Sequence, residues 1–167
     1  DGATIDGNPT EVCLTSATTA WVPIEADPFD GTSINEIVCG QVGSTYYVVA
    51  AGNGGKVFYS TDAGVTWTTS TTVITENVIG AIYIPLYETF VIQFDTTVLP
   101  KFSTDGGATW ANTSSNGLSG GIYNRLMTDN GYLYRMGSLN MERIPANDLA
   151  GNGWDDVPPQ SFTGMGA

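Results

Sequence analysis

Two octapeptides of nearly identical sequence, 43 residues apart, constrain this chain more than any other feature. Residues 60–67 read STDAGVTW and residues 103–110 read STDGGATW. The tryptophans keep the same period, with spacings of 46, 43 and 44 residues: Trp21, Trp67, Trp110 and Trp154. The outer two end degraded copies of the octapeptide. Repetition at such a period predicts an architecture in which one supersecondary unit is stacked several times.

Within each period the pattern predicts β-strands. Runs of β-branched and aromatic residues alternate with turn sequences rich in Gly, Asn and Asp, and no segment shows a capped helical periodicity. The clearest runs are 46–49, 56–59, 89–94 and 132–135. The 43-residue offset, applied upstream without a gap, places Tyr47 on Phe90 and Cys39 on Ile82. About four strands in a period of this length are typical of a propeller blade.

Each octapeptide predicts a tight turn between two strands. The Asp carboxylate can accept backbone N–H bonds inside the turn, and the Gly supplies a conformation that a Cβ would penalise. The Trp carries a large apolar surface into the packing. The signature positions are Ser60, Asp62, Gly64, Thr66 and Trp67 in the first copy and Ser103, Asp105, Gly107, Thr109 and Trp110 in the second.

The pattern Ser-x-Asp-x-Gly-x-Thr-Trp resembles the Asp-box, the bacterial neuraminidase repeat of β-propellers such as sialidases. The resemblance implies an all-β, propeller-like chain of four-stranded antiparallel blades joined by Asp-box turns. It also implies that the boxes are structural turns, remote from an active site. The expected organisation is a single repeat domain over 1–160 and a tail over 161–167, the domain dividing into a half blade, 1–30, and three blades, 31–73, 74–116 and 117–160.

A count of about three and a half blades is short of the roughly four to eight that close a propeller. Three explanations stay open: deletion from a longer protein, a minimal ring that uses the C-terminal tail, or completion by another subunit. Two such chains would supply about seven blades. Because a half blade leaves an open sheet edge, we expect the edge to be satisfied between subunits, in a homo-oligomer or a larger assembly.

The charge balance excludes several classes of function. Seventeen acidic residues face five basic ones, for a net charge of −12, and histidine is absent. An acidic field of this kind repels nucleic acid. Catalysis by Ser-His-Asp or Cys-His and any zinc site with a histidine ligand are excluded. The longest apolar run, 78–87, is shorter than the ~20 residues of a membrane helix. The composition is consistent with an extracellular or virion protein.

The arginines argue against sialidase activity. Enzymes of the family that the boxes resemble use three arginines from separate blades to bind the substrate carboxylate. This chain has only Arg125, Arg135 and Arg143, all within one predicted blade. The sequence Arg143-Ile144-Pro145 echoes a family motif that there precedes the first box. We therefore expect no enzymatic activity, no catalytic residues and no cofactor.

A glycoside hydrolase, or a fragment of one, is the alternative from another functional class, since such enzymes need only two suitably spaced acids. No pair stands out among the candidate acids, which are Glu25, Asp27, Asp30, Glu36, Glu76, Glu88, Asp95, Glu142, Asp155 and Asp156. Alternatively, these acids are solvated side chains in loops. Of these, Glu25, Asp27 and Asp30 lie close enough in sequence to be weak calcium ligands, although their spacing is not that of an EF-hand.

Aromatic side chains can form a sugar-binding platform, and the tyrosines expected at the surface are Tyr83, Tyr87, Tyr123, Tyr132 and Tyr134. The two cysteines, Cys13 and Cys39, are a candidate disulfide or two small buried apolar residues. The function expected is a non-enzymatic structural or binding module of an extracellular or virion assembly, of the phage tail, fibre or decoration type. Such a module would recognise protein or glycan surfaces through its loops.

Overall fold

The computed structural model describes residues 29–114, 123–137, 141–151 and 153–157. These residues form three antiparallel sheets of four strands, and in each sheet the strands are adjacent in chain order. Sheet 1 contains β1 (Ile34–Val42), β2 (Thr45–Gly52), β3 (Val57–Ser60) and β4 (Thr68–Thr69). Sheet 2 contains β5 (Val78–Ile84), β6 (Thr89–Phe94), β7 (Lys101–Ser103) and β8 (Ala111–Asn112). Sheet 3 contains β9 (Tyr123–Asp129), β10 (Tyr132–Gly137), β11 (Met141–Pro145) and β12 (Asp155–Asp156).

The predicted all-β, four-stranded antiparallel architecture is confirmed for these residues. One sheet lies within each of the segments 31–73, 74–116 and 117–160. In all three sheets the last strand begins directly after a periodic tryptophan, at Thr68, Ala111 and Asp155. The predicted half blade over 1–30 and the tail over 161–167 lie outside the described residues, apart from Phe29 and Asp30.

The ungapped register upstream of the octapeptides is wrong. In sheet 1, Ser60 pairs with Val48, and Val48 pairs with Cys39. In sheet 2, the corresponding Ser103 pairs with Phe90, and Phe90 pairs with Tyr83. Val48 therefore corresponds to Phe90, and Cys39 corresponds to Tyr83 instead of Ile82. The cause lies in two connections of different length. Residues 53–56 join β2 to β3 whereas residues 95–100 join β6 to β7, and residues 43–44 join β1 to β2 whereas residues 85–88 join β5 to β6.

The sheets stack face to face, and sheets 1 and 2 use the same side to contact the sheet that follows. Val49 of sheet 1 faces sheet 2, and its counterpart Val91 of sheet 2 faces sheet 3. We call this side of each sheet its forward face and the opposite side its backward face. Phe90 and Ile92 lie on the backward face of sheet 2 and are fully buried against sheet 1. The forward face of one sheet thus meets the backward face of the next.

Two apolar cores fill the two interfaces. Between sheets 1 and 2 the buried residues include Val49, Val57, Phe90, Ile92 and Trp110. Between sheets 2 and 3 they include Ile84, Val91, Leu133, Ile144 and Trp154. The burial of such large apolar side chains is the main favourable contribution to folding.

Hydrogen bonds from the segment that follows each sheet reinforce this stacking. The backbone N–H of Thr71 donates to the Ala108 carbonyl of the second box at 3.0 Å. The backbone N–H of Ser114 donates to Leu149 at 2.7 Å, in the degraded third box. The residue four positions after Trp67 and the residue four positions after Trp110 thus each donate to the box turn of the next sheet, although the acceptors stand at different box positions.

The two complete boxes differ in how closely a sheet approaches them. Gly106 has φ +73°, and a Cβ built on it would lie 2.2 Å from the ring of Tyr47 in sheet 1. Its counterpart in the first box is Ala63, exposed, with φ +60°. A non-glycine residue in this left-handed region is strained. The first box therefore tolerates a side chain where the second has no room for one.

We predict opposite effects of exchanging these two residues. Ala63→Gly should raise the free energy of unfolding by roughly 0.5–1 kcal/mol, because glycine adopts positive φ without steric cost. Gly106→Ala should lower it by more than about 1 kcal/mol, since the new methyl group meets the Tyr47 ring as well as the unfavourable φ. Urea unfolding of the two variants and the wild type measures both changes. Equal destabilisation by both exchanges would contradict the assigned turn geometry.

Candidate functional site

In the first box the polar side chains of the octapeptide form hydrogen bonds within the turn. The Ser60 hydroxyl donates to the Asp62 carboxylate at 2.7 Å and accepts the Gly64 backbone N–H at 2.9 Å. The same carboxylate accepts the backbone N–H of Thr66 at 2.8 Å and its hydroxyl at 2.6 Å. The Trp67 indole N–H donates to the Gly64 carbonyl at 2.9 Å. The turn is thus closed by its own side chains.

The second box repeats this network. Ser103 donates to Asp105 at 2.8 Å, and Asp105 accepts the N–H of Thr109 at 2.9 Å and its hydroxyl at 2.5 Å. The indole N–H of Trp110 donates to the Gly107 carbonyl at 3.1 Å. Because every signature side chain with a polar group is engaged within the turn, this geometry supports a structural role for both boxes.

The hydrogen bonds change the acidity of the box aspartates. The Thr66 hydroxyl, the Thr66 backbone N–H and the Ser60 hydroxyl lower the pKa of Asp62 from 3.8 to about 2. Burial acts to raise the pKa of Asp105, but the bonds from Thr109 and Ser103 outweigh it and the pKa is lowered. Both carboxylates are therefore ionised at neutral pH, as acceptors in the turn require.

A buried ion pair lies between sheets 2 and 3. The Arg135 Nε donates to the Glu142 carboxylate at 2.6 Å, a second guanidinium nitrogen binds the same oxygen, and the Tyr123 hydroxyl donates to the other oxygen. The Arg135 guanidinium also lies 4.2 Å from the ring centre of Tyr123 and 4.5 Å from that of Trp154. Arg135 and Glu142 are 3% and 2% exposed. Charge pairing and cation–π contact together compensate the buried guanidinium.

This network corrects one sequence-based prediction. Tyr123 was expected at the surface as a ligand contact, but only 2% of it is exposed and its hydroxyl is engaged by Glu142. The network also separates the arginines. Arg135 points toward sheet 2. Arg143, on the neighbouring strand β11, lies on the forward face of sheet 3, beside Tyr134. The three arginines of sheet 3 therefore do not converge on one point.

An open cleft lies between sheets 2 and 3, at the end where the β5–β6 and β9–β10 hairpins turn. It has a volume of about 280 Å³, and we call it the hairpin cleft; among its lining residues are Leu86, Tyr87, Asp129, Asn130 and Tyr132. A second cavity of about 350 Å³, between β6–β7 and residues 146–150, shares Tyr87 and Ala146 with it. The two cavities adjoin and together fall in the ~300–1,000 Å³ range of small-ligand sites.

Local sequence explains the shape of the hairpin cleft. Asn130 and Gly131 both have positive φ, 47° and 79°, between the paired residues Asp129 and Tyr132. An Asn-Gly pair of this kind forms the tight two-residue hairpin turn that matches strand twist. On the other side, the turn over Pro85–Tyr87 ends at Glu88, also at positive φ. Two short, conformationally constrained turns therefore border the cleft.

The lining of the hairpin cleft combines aromatic rings with neutral and acidic polar groups. Tyr87 and Tyr132, both predicted as ligand contacts, line the cleft, and the Tyr132 ring lies on the forward face of sheet 3, beside Tyr134. Asp129 and Asn130 supply a carboxylate and an amide, and none of the described residues lining either cavity is Lys or Arg. One face of the Tyr132 ring is covered by the Arg143 guanidinium, at 4.6 Å from the ring centre.

The remaining predicted tyrosines lie elsewhere. Tyr83 lies in the interface of sheets 1 and 2, where its hydroxyl donates to the Gln41 carbonyl and its ring covers Gly40. Tyr134 is half-buried on the forward face of sheet 3, with its ring centre 6.3 Å from that of Tyr132. Neither lines the hairpin cleft.

The cysteine and calcium candidates lie partly outside the described residues. Cys39 lies exposed on β1, so its interpretation as a small buried apolar residue is wrong. Cys13 lies outside the described residues, and the disulfide stays a prediction. Of the calcium candidates, Asp30 is an exposed turn residue with φ 53°, whereas Glu25 and Asp27 lie outside the described residues.

Among the described residues, no group of three or more Asp, Glu, Cys or His side chains is arranged to hold a metal ion. No helix in that part of the chain is long and apolar enough to cross a membrane.

Sequence reasoning missed part of the site. Leu86, Asp129 and Asn130 border the hairpin cleft, but the Asp-Asn-Gly sequence was interpreted only as a strand boundary. Its strong hairpin signal was the available indication that these side chains lie at an exposed tip. The Arg135–Glu142 pair had no sequence signal, because the two residues are brought together only by the β10–β11 register.

Comparison with known proteins adds no relative: no family model and no curated protein matches the chain.

We predict that the carboxyl group of Asp62 titrates near pH 2. Its folded-state pKa lies below the unfolded value, so the stability it contributes is fully present above about pH 4 and is lost as the pH falls toward 2. Carboxyl NMR titration measures the pKa directly. Thr66→Val removes the hydroxyl that makes the largest contribution and should shift the pKa upward. A wild-type value near 3.8 would contradict the hydrogen-bonded geometry.

We also predict that Glu142→Gln lowers the free energy of unfolding by about 3–5 kcal/mol, because it leaves the buried Arg135 charge uncompensated. The double variant Arg135→Met, Glu142→Leu removes both charges and should recover most of this loss. Chemical unfolding measures all three proteins. A double variant as unstable as the single one would show that the pair does more than neutralise a buried charge.

Proposed function

We propose that the chain is a non-enzymatic binding module whose hairpin cleft recognises an uncharged saccharide. The proposal follows from an aromatic residue, Tyr87, that lines one open cleft together with Asp129 and Asn130. Aromatic rings pack against the apolar faces of sugars, and carboxylate and amide groups bind sugar hydroxyls. Asp129 lines the cleft and none of the described lining residues is Lys or Arg, which disfavours acidic sugars, including the sialic acid that the resemblance would suggest; the neighbouring Arg143 guanidinium is engaged with the Tyr132 ring.

We further propose that the sheets are blades of a propeller-like arrangement. Two features support this: forward faces meet backward faces at both interfaces, and the segment after each of the first two sheets donates a backbone hydrogen bond to the next box turn. In a rotational repeat, every unit contacts the next one through the same side. The loops at one end of such an arrangement form a shared surface, and the hairpin cleft opens there.

The setting proposed for this module is an extracellular or virion assembly that contains other protein subunits. The acidic composition and the box repeats support it, by resemblance to phage tail, fibre and decoration proteins. In that setting, saccharide recognition would attach the assembly to a glycan-bearing surface.

A direct test is a screen of immobilised uncharged and acidic glycans, followed by calorimetric titration of the hits. Tyr87→Ala should weaken binding of an uncharged saccharide at least tenfold, whereas Val73→Ala, an exposed apolar residue outside the cleft, should not change it. Tyr87→Phe retains the ring and should keep most of the affinity. Thermal unfolding of each variant separates lost binding from lost folding.

The other outcomes count against the proposal. Binding that Tyr87→Ala leaves unchanged would place the ligand elsewhere, and failure of every saccharide would remove the glycan ligand. Turnover of aryl glycosides would instead favour the glycoside hydrolase.

A further inference from the structure

The stacking of the sheets leaves two different faces at the ends of the described structure. The backward face of sheet 1 and the forward face of sheet 3 have no partner sheet among the described residues. At both internal interfaces, faces of these two types meet. When the ends of a stack differ in this way, association of identical chains is heterologous, head to tail.

The backward face of sheet 1 is apolar where its inner strands lie. Ile37 on β1 is 62% exposed and Tyr46 on β2 is 46% exposed. Ile37 corresponds to Ala81 of sheet 2, because Ile37 pairs with Ala50 and Ala81 pairs with Ile92. Ala50 and Ile92 are equivalent, since each lies two residues after the strand partner of its box serine. Ala81 packs into the core between sheets 1 and 2. An apolar residue is thus exposed on sheet 1 at the position that a neighbouring sheet covers on sheet 2.

Only the inner part of this face is open. Near β3, Phe58 is 5% exposed, and the Phe29 ring contacts both Phe58 and Trp67, with ring centres 5.2 Å apart in each pair. The exposed region is therefore confined to β1 and β2. It lies on the two strands that correspond to β5 and β6, the main contacts of sheet 2 with its neighbours.

The forward face of sheet 3 has complementary properties. Met127, 44% exposed, pairs with Tyr134, which pairs with Arg143, so a methionine, an aromatic ring and a cation lie side by side. Arg125 lies two residues before Met127 on the same face of β9, and it is exposed. In a head-to-tail arrangement, the apolar surface of Met127 and Tyr134 would meet that of Ile37 and Tyr46.

We propose that a second copy of this chain docks its sheet 3 forward face, around Met127 and Tyr134, onto the inner strands of sheet 1, around Ile37 and Tyr46. The inference rests on the propeller-like stacking proposed above and continues it from one chain to the next. The partner at the open end of the structure is then a second copy of the chain, and the two copies use different surfaces in the contact.

The test is the mass in solution of two complementary variants, measured by light scattering at micromolar concentration. The wild type should be an oligomer of the 17.6 kDa chain. Ile37→Asp blocks one face and Met127→Asp blocks the other, so each variant alone should be monomeric. An equimolar mixture should form dimers, because each partner supplies one intact face. Val73→Asp, an exposed apolar residue on neither face, is the matched control and should keep the wild-type mass.

Three results would overturn the inference: a monomeric wild type, a mixture that stays monomeric, or oligomers that persist in both single variants. A monomeric Ile37→Asp beside an oligomeric Met127→Asp would indicate that sheet 1 pairs with its own copy, and this too contradicts the head-to-tail arrangement. Thermal unfolding shows that each variant is folded. Saccharide titration of Ile37→Asp, whose substitution lies outside the hairpin cleft, tests the proposed function separately.

Discussion

The Asp105 carboxylate accepts two hydrogen bonds from Thr109 and one from Ser103, and these bonds close the turn between β7 and β8 from within. Because the turn needs no other sheet for its closure, it holds Trp110 in a fixed place, with the indole N–H bound to Gly107. The indole is then 6% exposed in the core between sheets 1 and 2. In both complete boxes, one ionised side chain closes the turn whose Gly carbonyl binds the tryptophan indole.

Sheet stacking depends in turn on how closely a box can approach the preceding sheet. Gly106 and Gly107 leave space for Tyr47 and Val49 of sheet 1, where a Cβ on Gly106 would overlap the Tyr47 ring. The contact brings the Ala108 carbonyl within hydrogen-bonding distance of Thr71. Glycine in the second box is therefore required both by the packing between repeats and by the positive φ of the turn. Ala63 in the first box meets only the constraint of positive φ, at some cost in strain.

Features that arise within a repeat could be predicted from the sequence, and features that arise between strands or repeats could not. The strands after each tryptophan follow from short-range patterns, and so does the box turn. The pairing of Val48 with Cys39 depends on a loop length that the 43-residue offset conceals, so the register was misplaced by one residue. The burial of Tyr123 follows from its contacts with Arg135 and Glu142, and no local pattern encodes them. Likewise, Tyr87 and Tyr132 were candidates separately, but only the packing of two sheets brings them to one cleft.

The cavities beside sheet 3 follow from the degradation of its repeat. In the third box, Leu149 stands where the other boxes have Asp, and it packs into the core instead of closing the turn. The Trp154 indole N–H then donates to Thr113, at 3.1 Å, instead of to a carbonyl of its own turn. On the facing sheet, Thr89 occupies the position that Tyr47 has in sheet 1, so a smaller side chain meets a rebuilt turn. Thr89 and Leu149 both line the cavity of about 350 Å³ that adjoins the hairpin cleft. A regular repeat would have filled this space with an aromatic ring, so the departure from the repeat is what provides room for a ligand.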